Sequence, residues 1–95
     1  MAAYVIVDSK ITDPERIKEY GSKVRATIAA HGGKPIVAGG ALDVLEGDWT
    51  PSRLVILEFA DADAARAWYN SPEYQEILPI RLEAADDNFL IVEGV

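Results

Sequence analysis

The sequence contains no cysteine among its 95 residues. Disulfides, thiolate nucleophiles and cysteine-ligated zinc or iron–sulfur centres are therefore excluded. No apolar run is long enough to span a bilayer, and the first residues carry neither the basic region nor the apolar core of a signal peptide. Together these absences predict a soluble protein of the reducing cytoplasm.

Basic residues are scarce and scattered. Nine lysines and arginines stand against sixteen aspartates and glutamates, which gives a formal net charge of −7. Nucleic acids and anionic membranes are bound through basic patches, so the charge balance excludes both as main partners. The single histidine is no metal cluster, and neither glycine pair matches a nucleotide-binding loop. We therefore predict no cofactor.

The apolar content is that of a folded protein. Hydrophobic residues make up 49% of the chain and charged residues 26%, which is typical of a globular domain and too apolar for disorder. The length predicts one domain over residues 1–95. A domain of this size is small enough that a partner subunit would help it to bury its core.

The chain is organised around a predicted β-hairpin between residues 44 and 59. Two apolar runs flank a loop that contains Gly47 and Pro51, and the second run, residues 54–59, is typical of a buried strand. Symmetric pairing across this loop would place Glu46 opposite Arg53.

The other elements follow from caps, periodicity and turn residues. We expect a strand over 3–9, and a helix that begins near Thr12-Asp13-Pro14 and ends at Gly32-Gly33. We expect a second strand over 34–38 that bends at Gly39-Gly40 and resumes over 41–46. Then come a helix capped by Asp61 or Asp63, a short helix capped by Ser71, a turn over 86–88 and a strand over 89–93.

This order, β-α-β-β-α-β with an extra short helix before the last strand, predicts a ferredoxin-like α+β fold. Both main helices would cover one face of an antiparallel sheet. The strand predicted over residues 54–59 is apolar on both sides, with Leu57 and Phe59 on one side and Leu54 and Ile56 on the other. The second face also needs cover, and a homodimer that packs sheet against sheet would supply it.

Two carboxylates are candidate catalytic residues. We expect the first and third strands to run side by side and parallel, which would place Asp8 and Glu58 near the same end of the sheet. Both would lie on the face away from the helices, where two carboxylates in a partly apolar cavity share a proton and one acts as a general base. The alternative is that both are structural, in solvent or paired with Arg53 or Arg81.

Two arginines are candidate ligand-binding residues, because a planar guanidinium orients a carboxylate or enolate. Arg53 has a structural alternative in the pair with Glu46. Arg81 falls on the same helical stripe as Leu82, so it could point inward, and its alternative is to extend to the rim of the sheet.

Aromatic side chains complete the candidate site. Tyr20, Trp68 and Tyr74 could line a flat pocket for a phenolic or quinone-like ligand, with plain core packing as the alternative. Trp49 lies in the hairpin loop, so we expect it to form a lid or to be buried in the partner subunit. His31 precedes a glycine pair, which favours contact with a helix C-terminus.

Several motifs resemble one family over nearly the whole chain. They are Gly39-Gly40, residues 45–49, Arg53, residues 58–59, Ala65, residues 68–69, residues 71–75, Arg81 and residues 92–94. The pattern resembles the domain of unknown function 1330 family, whose members are similar to dimeric α+β barrels. That superfamily also includes cofactor-free oxygenases, small-lactone isomerases, haem-degrading enzymes and stress-responsive proteins. The resemblance implies a barrel-like dimer and carries no agreed reaction.

The sequence thus predicts a homodimer that binds a small organic molecule in an internal cavity, with no reaction assigned. One alternative is a cofactor-independent enzyme, monooxygenase- or isomerase-like, that acts on a small aromatic or enolisable substrate. A second alternative is a purely structural interaction module. Cavity volume separates this last alternative from the other two.

Overall fold

The computed structural model describes residues 1–95. Its elements are β1 (Ala3–Ile11), α1 (Pro14–Ala30), β2 (Lys34–Ala38), β3 (Leu54–Phe59), α2 (Ala62–Tyr69), α3 (Pro72–Ala84) and β4 (Ala85–Glu93). The fold is the predicted ferredoxin-like α+β fold with a third helix. At 13 residues, however, α3 is longer than the eight-residue α2, so it is no short addition. No helix has both the length and the apolar character needed to cross a membrane.

Each helix is preceded by a capping residue whose side chain accepts a hydrogen bond from a backbone N–H of the first turn. The acceptors are Asp13 for α1, Asp61 for α2 and Ser71 for α3. These caps satisfy backbone N–H groups that have no partner within the helix. After α1, Gly32 adopts a φ of +73°. Gly33 passes so close to the sheet that an added Cβ would lie 2.5 Å from the Phe59 ring.

The four strands form one antiparallel sheet in the order β2-β3-β1-β4. The predicted parallel pairing of β1 with β3 is wrong. In this topology a helical crossover joins two parallel strands, and the strand inserted between them runs the other way. Asp8 is therefore opposite Leu54, and Glu58 is opposite Tyr4. The two carboxylates share a face but are separated by four strand residues, or about 13 Å.

The predicted continuation of β2 over residues 41–46 is also wrong. Strand β2 ends at Ala38, and the next residue, Gly39, has a φ of +78° while its N–H donates to the Leu54 carbonyl. The chain leaves the sheet there, so residues 39–53 form a long exposed loop. Glu46 and Arg53 form no ion pair across it.

Strand β4 begins directly after α3, at Ala85, with no turn over residues 86–88. Strand β1 extends to Ile11, two residues beyond its predicted end, and its last residues pair with Ala85, Asp86 and Asp87. Pairing with a long neighbouring strand thus overrides the local preference of Asp and Asn for turns.

The helices cover one face of the sheet, as predicted. Alternate residues of β1 point into this core, together with Leu57 and Phe59 from β3. Trp68 and Tyr74 are the largest fully buried side chains, with ring centroids 4.3 Å apart. Leu82, predicted on the inner stripe of α3, is instead exposed.

The other face of the sheet, hereafter the open face, has an apolar centre that is uncovered in one chain, while Asp8 and Glu58 lie toward its two ends. The register places Leu90 beside Ile6, which is beside Ile56 in turn. Leu90 is 51% exposed. Tyr4, Leu54 and Val92 complete this surface.

Candidate functional site

A cavity of about 320 Å³ lies between α1 and the helix-covered face of the sheet. Its walls are mostly apolar and come from Ile17 and Val24 on α1 and from Val55 and Leu57 on β3. The volume is at the lower end of the range of small-molecule sites. It suits a ligand of one or two rings.

The part of α1 that lines the cavity includes one glycine, which is exposed to solvent. Gly21 is four residues after Ile17 and three before Val24, so it shares their face of the helix. It lines the cavity, and a Cβ added there would meet no atom within 4 Å. A glycine inside a helix costs about 1 kcal/mol relative to alanine. The helix therefore carries a stability cost at a position of the cavity wall where a larger side chain would have open space to occupy.

One end of the cavity is built from a chain of buried polar groups. The Tyr20 and Tyr74 hydroxyls are 3.0 Å apart, and Arg81 Nε donates to the Tyr74 hydroxyl at 3.2 Å. Arg81 Nη1 then donates to Asp87 Oδ2 at 3.0 Å, and the two side chains are only 7% and 2% exposed. Tyr20, Arg81 and Asp87 line the cavity, and Tyr74 supports them from behind. These four residues are hereafter the polar end.

The tyrosines of the polar end are neutral donors. Burial raises the pKa of Tyr20 the most, and the adjacent Tyr74 raises it further. Burial also raises the pKa of Tyr74. Because the Tyr74 oxygen already accepts from a cation, its O–H is the stronger donor and is favoured to donate to Tyr20. The Tyr20 O–H is then free to donate into the cavity.

The guanidinium of Arg81 is held in its charged form. Burial lowers its pKa, but the interactions with Tyr74 and Asp87 raise it by more, so the pKa lies above its ordinary value. The Arg81 Cζ atom also lies 4.6 Å from the centroid of the Phe89 ring. This contact, together with the two hydrogen bonds, fixes the guanidinium plane.

Asp87 has one carboxylate oxygen without a partner. Oδ2 accepts from Arg81, whereas Oδ1 is buried and accepts no hydrogen bond from the chain. Ser9 lies directly opposite on β1, but its hydroxyl does not donate to Oδ1. A buried acceptor of this kind costs about 1–3 kcal/mol when unpaired, so it requires an explanation.

An aromatic surface adjoins the polar end. The Trp68 and Phe89 rings are stacked, with centroids 6.0 Å apart and an angle of 19° between their planes. The Trp68 Nε1 donates to Thr27 Oγ1 at 3.0 Å, which fixes the indole. Both aromatic rings line the cavity. A planar ligand would therefore have flat side chains to pack against.

The outer end of the cavity carries two exposed arginines. Arg25 and Arg53 both line it, and neither forms an ion pair. Their charges are screened by solvent, unlike that of Arg81. We refer to them as the mouth arginines.

The structure brings together only part of the predicted site. Tyr20, Trp68, Arg53 and Arg81 line the cavity, and Tyr74 contacts it through hydrogen bonds. All five therefore lie in or next to one cavity, as a pocket requires.

Three predicted site residues lie elsewhere. Asp8 accepts hydrogen bonds from Trp49 Nε1 at 2.9 Å and from the Ser52 N–H at 3.2 Å, so it anchors the loop over residues 39–53. Glu58 pairs with Lys34 at 3.4 Å across β2 and β3. Neither carboxylate lines the cavity, and the hypothesis of a proton-sharing pair fails on this geometry.

Sequence reasoning missed Gly21 and Asp87. A signal for Gly21 was present, since a glycine on the apolar stripe of a helix usually has a packing or functional reason. Asp87 was hidden by the predicted turn. Only its pairing opposite Ser9 turns its side chain toward the cavity.

A model of the family described as Domain of unknown function (DUF1330) matches residues 2–95. The chain belongs to this family. Among solved structures, the DUF1330 chain is similar to a protein of unknown function from Rhodopseudomonas palustris, with a TM-score of 0.77 and 19% identity over 99% of this chain and 82% of that one. No curated protein matches it.

Two further structures share the fold of this DUF1330 chain. SnoaB, a cofactor-independent oxygenase from Streptomyces nogalater, has a TM-score of 0.60 and 11% identity over 99% of this chain and 92% of that one. A dimeric ferredoxin-like protein of unknown function from Thermobifida fusca has a TM-score of 0.57 and 13% identity over the same shares. At these identities the likeness shows the fold alone.

Proposed function

We propose that this protein binds a small, mainly aromatic organic molecule in the cavity between α1 and the sheet. The observation that carries the proposal is a mostly apolar cavity of about 320 Å³ next to a hydrogen-bonded polar end, with a gap in its wall at the exposed Gly21, where open space is left without a side chain. A purely structural module would gain stability from an alanine or a larger apolar residue at Gly21. The gap is thus better explained by a ligand than by packing.

Narrowing the cavity at Gly21 tests this proposal. Naphthalene, a planar two-ring probe, is expected to bind the wild-type protein in equilibrium dialysis. The variant Gly21→Leu places a branched side chain in the gap and should weaken binding at least about tenfold, which corresponds to about 1.4 kcal/mol. Gly21→Ala is the matched control, since it changes the helix in the same way and fills little space.

The stability of both variants separates blockage from misfolding. Each should unfold at a urea concentration equal to or above that of the wild-type protein, because alanine and leucine both favour a helix over glycine. Equal naphthalene binding by Gly21→Leu and wild-type protein, or no binding by either, would refute the proposal.

A cofactor-independent enzyme is the second candidate, and one observation favours it. Asp87 is the carboxylate that lines the cavity, beside a charged arginine and a neutral tyrosine. A carboxylate can act as a base, and an arginine can stabilise developing negative charge. SnoaB, which has the same fold, is described as a cofactor-independent oxygenase. In this chain the general base would be Asp87 and not Asp8 or Glu58.

The protein is further proposed to act as a homodimer through the open face. Leu90 and Val92 are exposed there beside Ile6 and Tyr4, so a second copy would remove a continuous apolar surface from water. The Thermobifida fusca relative of the same fold is described as dimeric. The predicted cytoplasmic location stays a prediction.

A further inference from the structure

We infer that the polar end selects a neutral hydroxyl group, that of a phenol or an enol, and rejects a carboxylate. The group would donate its O–H to Asp87 Oδ1 and would accept a hydrogen bond from Tyr20 or Arg81. This inference rests on the proposed ligand binding and specifies the chemistry of the ligand.

The buried charges of the polar end balance each other. Arg81 would attract an anion if it stood alone, but Asp87 pairs with it at 3.0 Å, and both side chains are almost fully buried. The pair is neutral as a unit. A ligand carboxylate that entered beside Asp87 would place two like charges in a site with little water, which is strongly unfavourable.

The polar end has hydrogen-bonding groups that have no partner within the chain. Asp87 Oδ1 is an acceptor with no partner, and Arg81 Nη2 makes no hydrogen bond within the chain. The Tyr20 hydroxyl supplies another donor. One acceptor next to donors complements a ligand group that donates one hydrogen and accepts another. A hydroxyl does both, whereas an ionised carboxylate only accepts.

Flat aromatic side chains lie next to the polar end. The Trp68 and Phe89 rings line the cavity next to the polar end, and Arg81 itself lies over Phe89. A hydroxyl carried on a flat conjugated ring or enol would place its ring against this part of the cavity wall, mainly against Phe89 because Trp68 is only 1% exposed, while its oxygen reaches Asp87. An aliphatic alcohol would satisfy the same hydrogen bonds without this packing.

Three probes of similar shape test the inference: naphthalene, 2-naphthol and 2-naphthoate. Titration calorimetry in about 1 M NaCl, where the Debye length is about 3 Å, suppresses carboxylate binding at the exposed mouth arginines. We expect 2-naphthol to bind about tenfold or more tightly than naphthalene, and 2-naphthoate to bind more weakly than 2-naphthol by at least the same factor.

The variant Asp87→Asn should then remove the preference for 2-naphthol. It leaves Arg81 with an unneutralised charge and gives the cavity an amide donor, so the ratio of the 2-naphthoate and 2-naphthol dissociation constants should fall at least tenfold. Asp86→Asn is the matched control, because it removes the same charge from the adjacent, exposed residue. It should keep the wild-type ratio.

The outcomes separate the two proposals. If none of the three probes binds, the proposed function fails. If naphthalene binds and 2-naphthol and 2-naphthoate bind equally well, ligand binding stands and the inference about the hydroxyl group is wrong. Should Asp87→Asn fail to fold, the wild-type comparison of 2-naphthol with 2-naphthoate still decides the question.

Discussion

The Tyr20 and Tyr74 hydroxyls form a direct hydrogen bond of 3.0 Å under the cavity, and Tyr74 is fully buried. Because both side chains are buried, the free energy of unfolding falls at alkaline pH. In the unfolded chain a tyrosine ionises with a pKa of about 10, whereas in the folded protein burial raises the pKa of both residues. Their contribution is therefore complete below about pH 10 and is lost as the pH rises further.

The variant Tyr20→Phe tests this contribution. Above about pH 10 the unfolded wild-type chain releases phenol protons that the folded protein retains, so its free energy of unfolding falls by about 1.4 kcal/mol per pH unit for each such tyrosine. Tyr20→Phe removes one of them, and its slope should be shallower by about that amount. Urea unfolding at several pH values between about 8 and 11 measures both slopes. Equal slopes would contradict the assigned burial effect.

At the scale of elements, the loop over residues 39–53 is held to the sheet between its two ends by the side chain of Asp8. Asp8 accepts from Trp49 Nε1 and from the Ser52 N–H, and the loop is otherwise almost entirely exposed. Both hydrogen bonds are exposed to solvent, so each contributes about 0.5–1.5 kcal/mol, the range for an ordinary hydrogen bond. Asp8 therefore has a structural role, and this role explains why a carboxylate lies on the open face without the need for a catalytic role.

We expect Asp8→Ala to release this loop while the sheet remains folded. Chymotrypsin should then cleave within residues 39–53 at least about ten times faster than in the wild-type protein, because local opening becomes cheaper by more than about 1.4 kcal/mol. Mass spectrometry of the fragments locates the cut. Glu58→Ala is the control, since it removes a carboxylate of the same face that holds only Lys34. Equal cleavage of Asp8→Ala and Glu58→Ala would show that Asp8 is not the anchor.

At the scale of the whole molecule, the open face decides the assembly. Its side chains are apolar on three adjacent strands, as Ile56, Ile6 and Leu90 show. A charge at the centre of such a face would have to be buried in a sheet-to-sheet dimer without a partner, which is strongly unfavourable.

The pair Leu90→Lys and Leu82→Lys tests the proposed dimer. Both leucines are exposed in one chain, at 51% and 64%, but Leu90 lies on the open face and Leu82 on the outer side of α3. Analytical ultracentrifugation should show a dimer for the wild-type protein and for Leu82→Lys, and a monomer for Leu90→Lys. A monomeric wild-type protein, or a dimeric Leu90→Lys variant, would overturn the proposal.

Local chemistry was sufficient to predict the three helices and the positions of the four strands, but not the ends of every strand. Asp13, Asp61 and Ser71 cap the helices as expected, because a cap acts on backbone groups only three residues away. The stripe of α1 and the two-sided apolar pattern of β3 were likewise visible in the sequence. From this order of elements the ferredoxin-like α+β fold followed.

The tertiary structure alone decided what depends on distant partners. The antiparallel direction of β1 and β3 separated Asp8 from Glu58, and the pairing of β4 with the end of β1 turned a predicted loop residue, Asp87, into a buried partner of Arg81. The antiparallel direction follows from the predicted topology itself and was misassigned, whereas no local signal encodes the pairing of β4 with β1, because register is set by residues far apart in the chain. The sequence by itself determined the elements that local caps and periodic patterns specify, whereas packing and pairing across the sheet decided that Leu82 is exposed, that Asp87 is buried and which side chains meet at the cavity.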